Sequence, residues 1–176
     1  MRDLATADRI RDFMRRLGAA IPVDTRIYLA GGATAVLSGW RESTIDVDLK
    51  IVPESDAALR ALPELKEALR LNVELASPDL FIPPVPGWES RSPFIVREGR
   101  VDWHHFDPYS QALAKIERGH DRDREDVSAM IRLGLVDRGE LARHFEAIRP
   151  QLFRYPALDP EALARKVAEA VSRPPA

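Results

Sequence analysis

Apolar residues recur at two different spacings along the chain, which predicts a mixture of helices and strands. Near the N-terminus, Ala7, Ile10, Met14 and Leu17 follow the spacing of an amphipathic helix, which Gly18 is expected to end. Alternating or β-prone runs predict five strands, at residues 26–30, 46–52, 72–76, 92–96 and 100–106.

Further helices are predicted between and after these strands. They cover residues 32–38, 55–71 with a break near Pro63, 108–118 with Asp107 as N-cap before Pro108, 122–133, and two segments that open at Asp137 and Asp159. The proline-rich stretch 78–88 is expected to be a loop, and Glu98-Gly99 a tight hairpin turn. The pattern predicts a core of strands and helices with further helices at its C-terminal side.

Composition narrows the possible classes of protein. The chain has 176 residues, 45% of them hydrophobic and 31% charged, which is typical of one globular domain or a small core with a helical extension. It has no cysteine, so disulfides and thiolate metal sites are excluded. No apolar run is long enough for a membrane span, and the N-terminus is too charged for a signal peptide, so we expect a cytoplasmic protein without membrane contact.

A glycine turn beside a strand with two carboxylates is the main chemical feature of the sequence. Gly31 and Gly32 follow the first predicted core strand, while Asp46 and Asp48 lie on the next one. Residues two apart on a strand share a face, roughly 7 Å apart at Cα. The turn offers N–H groups to phosphates and the carboxylates can hold Mg²⁺, as a nucleoside triphosphate requires. The alternative is chance, because a second Asp-x-Asp occurs at 121–123.

Two-metal phosphoryl transfer needs a further carboxylate, and the hairpin strand offers Asp102. Its neighbours Val101 and Trp103 are expected on the opposite face. A charged side chain on an apolar strand needs a partner, so we expect Asp102 to join Asp46 and Asp48 around a common point. The alternative is an exposed aspartate on an edge strand.

A third group of charged residues lies in the C-terminal helices. Lys115 and Arg118 share a helix face, and Lys115 could equally be an ordinary solvated lysine. Asp123 and Asp126 share a face of the next helix. They could orient Lys115 or Arg41, or stabilise the N-terminus of their own helix.

Together these motifs resemble the nucleotidyltransferase superfamily that includes DNA polymerase beta. The motif Arg41-x-x-Thr44-x-Asp46-Val47-Asp48-Leu49 is similar to a bacterial branch related to the AbiEii-type toxins of toxin–antitoxin systems. Leu113-Ala114-Lys115 and Arg122-Asp123-x-x-Asp126 resemble further motifs of that branch. The resemblance covers roughly residues 26–135.

The resemblance implies an α+β nucleotidyltransferase fold, with a small mixed sheet flanked by helices and a C-terminal helical extension. We place the core at residues 1–107 and the helical region at 108–176. The implied metal ligands are Asp46, Asp48 and Asp102. The implied nucleotide contacts are Gly31, Gly32, Ala33, Arg41, Thr44 and the catalytic Lys115, with Arg122, Asp123 and Asp126 in supporting positions.

The implied activity is Mg²⁺-dependent transfer of a nucleoside monophosphate from an NTP to an acceptor hydroxyl. RNA such as a tRNA end is one acceptor, a protein side chain another, and an antitoxin protein is an implied partner. Many superfamily members carry Gly-Ser where this chain has Gly32-Ala33, and Thr34 or Ser43 could supply the missing hydroxyl. The rival hypotheses are a degenerate binding or antitoxin-like module and a transferase for small molecules such as antibiotics.

The acceptor depends on the arrangement of a group of basic residues. If they form one surface beside the carboxylates, RNA is expected; if they pair with carboxylates, a small molecule or protein is favoured. The group comprises Arg91, Arg97, Arg100, Lys115, Arg118, Arg122 and Arg124.

Overall fold

Residues 3–172 are described by a computed structural model, in which the chain forms two compact units. The first unit, the sheet unit, reaches up to Ser77 and resumes over Ser92–Phe106; the second, the helical unit, holds Pro78–Arg91 and the described residues from Asp107 onward. The predicted core had included the proline-rich segment. That segment instead belongs to the helical unit, where it forms a 3-10 helical turn and one short helix.

The sheet unit contains strands and helices at positions close to those predicted. Its helices are α1 (Ala7–Ala20), α2 (Gly31–Leu37) and α3 (Asp56–Ala68). Its strands are β1 (Ala5–Thr6), β2 (Thr25–Ala30), β3 (Ser43–Thr44), β4 (Asp46–Val52), β5 (Asn72–Glu74), β6 (Phe94–Glu98) and β7 (Val101–His105).

A mixed five-stranded sheet organises this unit. The strand order is β5-β4-β2-β7-β6, and the central strand β2 runs antiparallel to β4 and parallel to β7. The edge strands β5 and β6 pair parallel with β4 and antiparallel with β7, respectively. The predicted α+β fold, with a small mixed sheet flanked by helices, is confirmed.

The sheet has one apolar face and one polar face. On β4, Val47, Leu49 and Ile51 are buried, whereas Asp46 and Asp48 on the opposite face are partly accessible. This strict alternation is what the sequence pattern predicted for 46–52. The buried side chains of β4, β2 and β7 pack with α1 and α3 in one hydrophobic core.

Gly18 does not end the first helix, contrary to the prediction. Helix α1 continues to Ala20, because the β6–β7 hairpin packs against it at this position. A Cβ on Gly18 would lie 2.4 Å from the carbonyl oxygen of Glu98, and one on Gly99 would lie 2.6 Å from the carbonyl oxygen of Gly18. Gly99 has a φ of +60° at the hairpin turn. The glycine at 18 therefore provides room for a backbone rather than a stop signal.

The predicted break at Pro63 is also absent. Helix α3 runs through Pro63, whose side chain is exposed, and it buries Ala58 and Leu62 against the core. Ser55 caps the helix by accepting a hydrogen bond from the backbone N–H of Ala58 at 3.3 Å. Packing of the apolar face thus outweighs the backbone hydrogen bond that the proline removes.

The helical unit is built from short helices with clear caps. They are α4 (Trp88–Arg91), α5 (Pro108–Arg118), α6 (Asp121–Arg132), α7 (Arg138–Ile148) and α8 (Pro160–Ser172). Asp107 caps α5 and Asp137 caps α7, as predicted from the sequence. Within 3–172, no helix combines the length and apolar character needed to cross a membrane.

The contact at Gly18 yields a stability prediction. Gly18→Ala should lower the free energy of unfolding by about 1–3 kcal/mol, because the new methyl group meets main-chain atoms that cannot rotate away. Gly139→Ala in α7 is the control, since its Cβ would meet only the Asp137 carboxylate, at 3.2 Å. Urea denaturation of both variants tests this, and equal stabilities would show that the α1–hairpin contact is not close in solution.

Candidate functional site

The glycine turn lies directly against one of the two strand carboxylates. Gly31 opens α2 with a φ of +57°, and a Cβ built on it would lie 2.4 Å from Oδ2 of Asp48. Only glycine allows the main chain to approach the carboxylate this closely. The structure therefore brings together the two motifs that the sequence places 17 positions apart.

A second close contact lies between the same turn and strand β3. A Cβ on Gly32 would lie 1.9 Å from Oγ1 of Thr44. The Thr44 hydroxyl donates a hydrogen bond to the carbonyl of Asp46 at 3.1 Å, and Thr44 is buried. Thr44 was expected to contact a nucleotide. Its hydroxyl instead donates to the backbone, so Thr44 stabilises the conformation of this turn.

Strand β5 adds a carboxylate that sequence reasoning missed. In the parallel β4–β5 pair, Asn72 lies opposite Asp46 and Glu74 lies opposite Asp48, on the same polar face. The side-chain amide of Asn72 donates to Asp46 at 2.6 Å and to Glu74 at 2.9 Å. The sequence shows the polar-apolar-polar run Asn72-Val73-Glu74, but it does not show that this strand pairs with β4.

Asp102 does not join the Asp46/Asp48 pair, so the expected three-carboxylate cluster is wrong. On β2, Ala30 lies opposite Asp48, whereas Arg26 lies opposite Asp102. Asp102 therefore shares the polar face but lies roughly 13 Å further along the strands and about 10 Å across them.

A charged network accounts for the position of Asp102. Arg97, opposite it on β6, donates to Asp102 at 2.9 Å and to Asp24 at 2.8 Å. Arg100 also donates to Asp24, and its hydrogen bond is the main cause that holds the pKa of Asp24 below its usual value. The partner that Asp102 needs is thus an arginine of its own hairpin.

Ala33 and Thr34 do not present side chains to a ligand. Ala33 is fully buried in the hydrophobic core, so its expected contact with a nucleotide is wrong for the side chain. Thr34 is also buried, and its hydroxyl donates to the carbonyl of Leu29 at 3.0 Å. Neither side chain therefore supplies the hydroxyl that a serine would supply at this turn. Ser43, the other residue suggested for this role, is half-buried on β3.

His105 packs against Thr34 from the neighbouring strand. Its Nδ1 lies 3.2 Å from the Thr34 hydroxyl, whose own proton is donated to Leu29, so Nδ1 carries the proton and donates. Burial, with a smaller contribution from the charge of His104, lowers the pKa of His105 to about 4. The ring is therefore neutral at physiological pH.

Lys115 lies in the helical unit and is not a solvated surface lysine. Its Nζ donates to Asp126 at 2.6 Å and lies 3.6 Å from Asp123, and all three side chains are buried. Arg118 donates two hydrogen bonds to Asp123, which also accepts from the backbone N–H of His120. The two aspartates thus orient Lys115, one of the alternatives that the sequence left open, and Asp123 also caps its own helix.

Electrostatics decides the protonation state of Asp123. Burial alone would raise its pKa, but the hydrogen bonds and charge of Arg118, together with the charge of Lys115, lower it below the usual value. Asp123 is therefore ionised at neutral pH. Arg122, the remaining member of this motif, is exposed on α6, and Arg41 is half-buried beyond the end of α2.

Within the described residues, most of the basic side chains that were expected to form a surface for RNA are paired with carboxylates. Arg97 and Arg100 belong to the sheet unit and pair with Asp24. In the helical unit, Arg91 pairs with Asp107, Lys115 with Asp126, Arg118 with Asp123 and Arg124 with Asp121. These pairs largely neutralise the charges of the group.

The described residues 3–172 contain no group of three histidine, aspartate or glutamate side chains arranged to hold a metal ion. Asp46 and Asp48 nevertheless supply two oxygen donors on one partly accessible face. Mg²⁺ in nucleotide enzymes is held by one or two carboxylates, and substrate phosphates complete its shell. The donor set therefore fits Mg²⁺ in the presence of a triphosphate.

The family described as Nucleotidyltransferase of unknown function (DUF6036) matches residues 9–152. The chain belongs to this nucleotidyltransferase family. The match spans the glycine turn, both carboxylate strands and the Lys115 cluster, and it confirms that the chain is of a nucleotidyltransferase family with the predicted fold. No curated protein and no solved structure matches the chain at a significant level.

The neutral His105 next to the glycine turn of this nucleotidyltransferase yields a pH prediction. Between pH 6.5 and about 4 the unfolded chain binds a proton at His105 that the folded protein does not, so stability should fall as the pH drops through this range. Relative to His105→Gln, the native protein should lose about 2 kcal/mol more between pH 7 and 4.5. Urea unfolding at both pH values measures this difference, and parallel losses in the two proteins would contradict a buried neutral histidine.

Proposed function

We propose that this protein transfers a nucleoside monophosphate from an NTP to an acceptor hydroxyl. The oxygen of the acceptor bonds to the α-phosphorus while the bond to the bridging oxygen of the β-phosphate breaks. Pyrophosphate leaves, and the hydroxyl proton passes to a carboxylate. Membership of a nucleotidyltransferase family supports the reaction class.

The observation that carries the proposal is the contact between the glycine turn and Asp48. The main chain of the turn carries no side chain that would block a triphosphate, and it lies against a carboxylate that stays partly accessible.

Asp46 and Asp48 would hold Mg²⁺, which when bound neutralises the phosphates and favours ionisation of the acceptor hydroxyl. We assign to Glu74 the role of third carboxylate that the sequence suggested for Asp102. It lies opposite Asp48 on the same face, its side chain is exposed, and Asn72 donates to its carboxylate. We propose that Glu74 accepts the proton of the hydroxyl as it attacks.

The acceptor that the charges favour is a protein or small molecule rather than RNA. Long nucleic acids need a continuous row of unpaired cations, because affinity comes from the counterions that phosphate contacts release. Most of the basic residues expected to form such a row are paired with carboxylates in the structure. A hydroxyl on a serine, threonine or tyrosine side chain, or on a small molecule, requires no such surface.

A toxin role with a cognate antitoxin is the finer form of this proposal. It rests on the resemblance of Lys115 and of Arg122-Asp123-x-x-Asp126 to motifs of the AbiEii-type toxins. The ion pairs between Lys115 and the two aspartates support it, because they show that these motif residues act as one unit.

A second candidate function is a binding module that retains the fold without turnover. Ala33 is buried, and the hydroxyl of Thr34 donates to the backbone, so neither side chain offers a hydroxyl to a phosphate. Both observations favour the binding module. Incubation with each α-labelled NTP, Mg²⁺ and a cell lysate distinguishes the two candidates. Label on a protein or small molecule supports transfer, whereas nucleotide binding without any labelled product supports the module.

The site is tested by three carboxylate variants. Asp48→Asn should abolish transfer, because a neutral amide cannot balance the charge of the cation. Glu74→Gln should slow transfer by roughly 10²–10⁴-fold, as expected for loss of a general base. Asp102→Asn should leave transfer within about twofold while loosening the hairpin, whose Arg97 loses one of its two carboxylate partners. The measurement is the initial rate of label transfer.

Circular dichroism and thermal unfolding provide the control for these variants. Asp48→Asn should keep the fold, and relief of repulsion among Asp46, Asp48 and Glu74 should keep its melting temperature at or above that of the native protein. Near-native transfer by Asp48→Asn, or complete loss of transfer in a folded Asp102→Asn, would refute the assignment.

A further inference from the structure

The amide group of Asn72 lies between two carboxylates of the candidate site. Asn72 is opposite Asp46 in the β4–β5 pair and two positions before Glu74 on its own strand, so all three side chains share the polar face. Its Nδ2 donates to Oδ1 of Asp46 at 2.6 Å and to Oε1 of Glu74 at 2.9 Å. Both hydrogens of the amide nitrogen are therefore used by carboxylates.

The chemistry of the two partners fixes the orientation of this amide. A carboxylate oxygen accepts hydrogen bonds, so the amide nitrogen of Asn72, and not its oxygen, must face Asp46 and Glu74. Hydrogen bonds to a charged group are stronger than hydrogen bonds between neutral groups. The protein thus supplies its own donor to two acidic groups of the site.

This donor and a bound cation seek the same negative charge. The amide hydrogens carry partial positive charge, so they repel a cation that binds to the same carboxylate. Binding of Mg²⁺ at Asp46 must therefore weaken or break the hydrogen bond from Asn72. Mg²⁺ also gives up its water reluctantly, so a lone hydrated ion has a further cost to overcome.

Glu74 gives the amide an acceptor that persists when Asp46 is released. Asn72 and Glu74 lie on the same three-residue strand, and their hydrogen bond does not involve β4. The amide can therefore let go of Asp46 and still orient Glu74, the carboxylate proposed to take the proton of the acceptor hydroxyl.

We propose that Asn72 lowers the cation affinity of the site, because its amide must release Asp46 before a cation binds there. The inference rests on the proposed function, which supplies Asp46 and Asp48 as the ligands. A weak site suits nucleotidyl transfer, because the phosphates of the nucleotide supply the further oxygens that hold the cation, and the cation can leave with pyrophosphate. Asn72 is thus a positioning residue and not a catalytic one.

Titration of the full chain with Mn²⁺ in the absence of nucleotide measures this effect, with the paramagnetic resonance signal of the free ion as the readout. Mn²⁺ is the probe because it takes the same oxygen ligands as Mg²⁺. Asn72→Ala should bind Mn²⁺ about tenfold more tightly than the native protein, since it removes the competing donor and adds no ligand. Asn72→Asp, which replaces the donor with a carboxylate, should bind at least as tightly as Asn72→Ala.

Two further variants assign the effect to this amide and this site. Gln151→Ala removes the same type of amide from the helical unit and should leave the affinity for Mn²⁺ within about twofold. Asn72→Ala/Asp48→Asn should lose the tight binding, because it lacks one of the two ligands. Circular dichroism checks the fold of each variant, and Mn²⁺ should raise the melting temperature of Asn72→Asp more than that of the native protein.

The other outcomes would overturn the proposal. Weaker binding by Asn72→Ala would show that the amide oxygen is itself a ligand, and unchanged affinity would show that the amide does not compete. Tight binding that survives in Asn72→Ala/Asp48→Asn would place the cation elsewhere. Absence of Mn²⁺ binding from every protein, Asn72→Asp included, would refute both the ligands and the role of Asn72.

The same measurements separate this inference from the proposed function. Label transfer by the native protein, together with unchanged Mn²⁺ affinity in Asn72→Ala, would refute only the role of Asn72. Tighter Mn²⁺ binding by Asn72→Ala, without label transfer by the native protein, would refute only the transferase.

Discussion

The close approach of the Gly31-Gly32 main chain to β4 constrains the whole sheet unit. The turn touches Asp48 and Thr44 at distances that leave no room for a side chain. This contact fixes the depth at which α2 lies on the sheet, and it places the carboxylate of Asp48 against the start of that helix. Because β2 ends in the same turn, its register with β4 also places Ala30 beside Asp48. Site and fold therefore depend on the same few atoms.

Local patterns were sufficient to predict most elements of the fold. The alternation over 46–52 gave the bounds of β4, and Asp107-Pro108 marked the first turn of α5, because caps and period-two alternation act over a few residues. The errors concern contacts between distant segments. The helix end predicted at Gly18 is wrong. A glycine is needed there because the hairpin packs against it, and this contact is not visible in the sequence. Pro63 lies inside α3 for a related reason, since tertiary packing outweighs its local cost.

The candidate site shows the same limit. The sequence correctly placed Asp46, Asp48 and Asp102 on the polar face of the sheet, since faces follow from alternation along a single strand. It could not show how far apart they lie, because that depends on how β7 and β5 pair with their neighbours. Parallel pairing sets Asp102 level with Arg26 and Glu74 level with Asp48, and neither register is encoded in a short motif.

Charge pairing was equally hidden from a reading of the sequence. Arg97 and Arg100 meet Asp24 across more than seventy positions, so a run of basic residues in one segment said little about the surface they form. The same kind of pairing links helices of the helical unit, where Lys115 of α5 pairs with Asp126 of α6 and Arg118 pairs with Asp123.

The side-chain amide of Asn72 has a consequence for the resting protein. It donates to both Asp46 and Glu74, and so acts as a neutral spacer between two like charges. A cation that takes the same Asp46 oxygen must compete with this amide, so its arrival would release a link that holds β5 to β4. Strand β5 is only three residues long and lies at the sheet edge. We therefore expect the pairing of β5 with β4 to loosen when a cation occupies the site. Binding at the site would then be coupled to local opening of this edge strand.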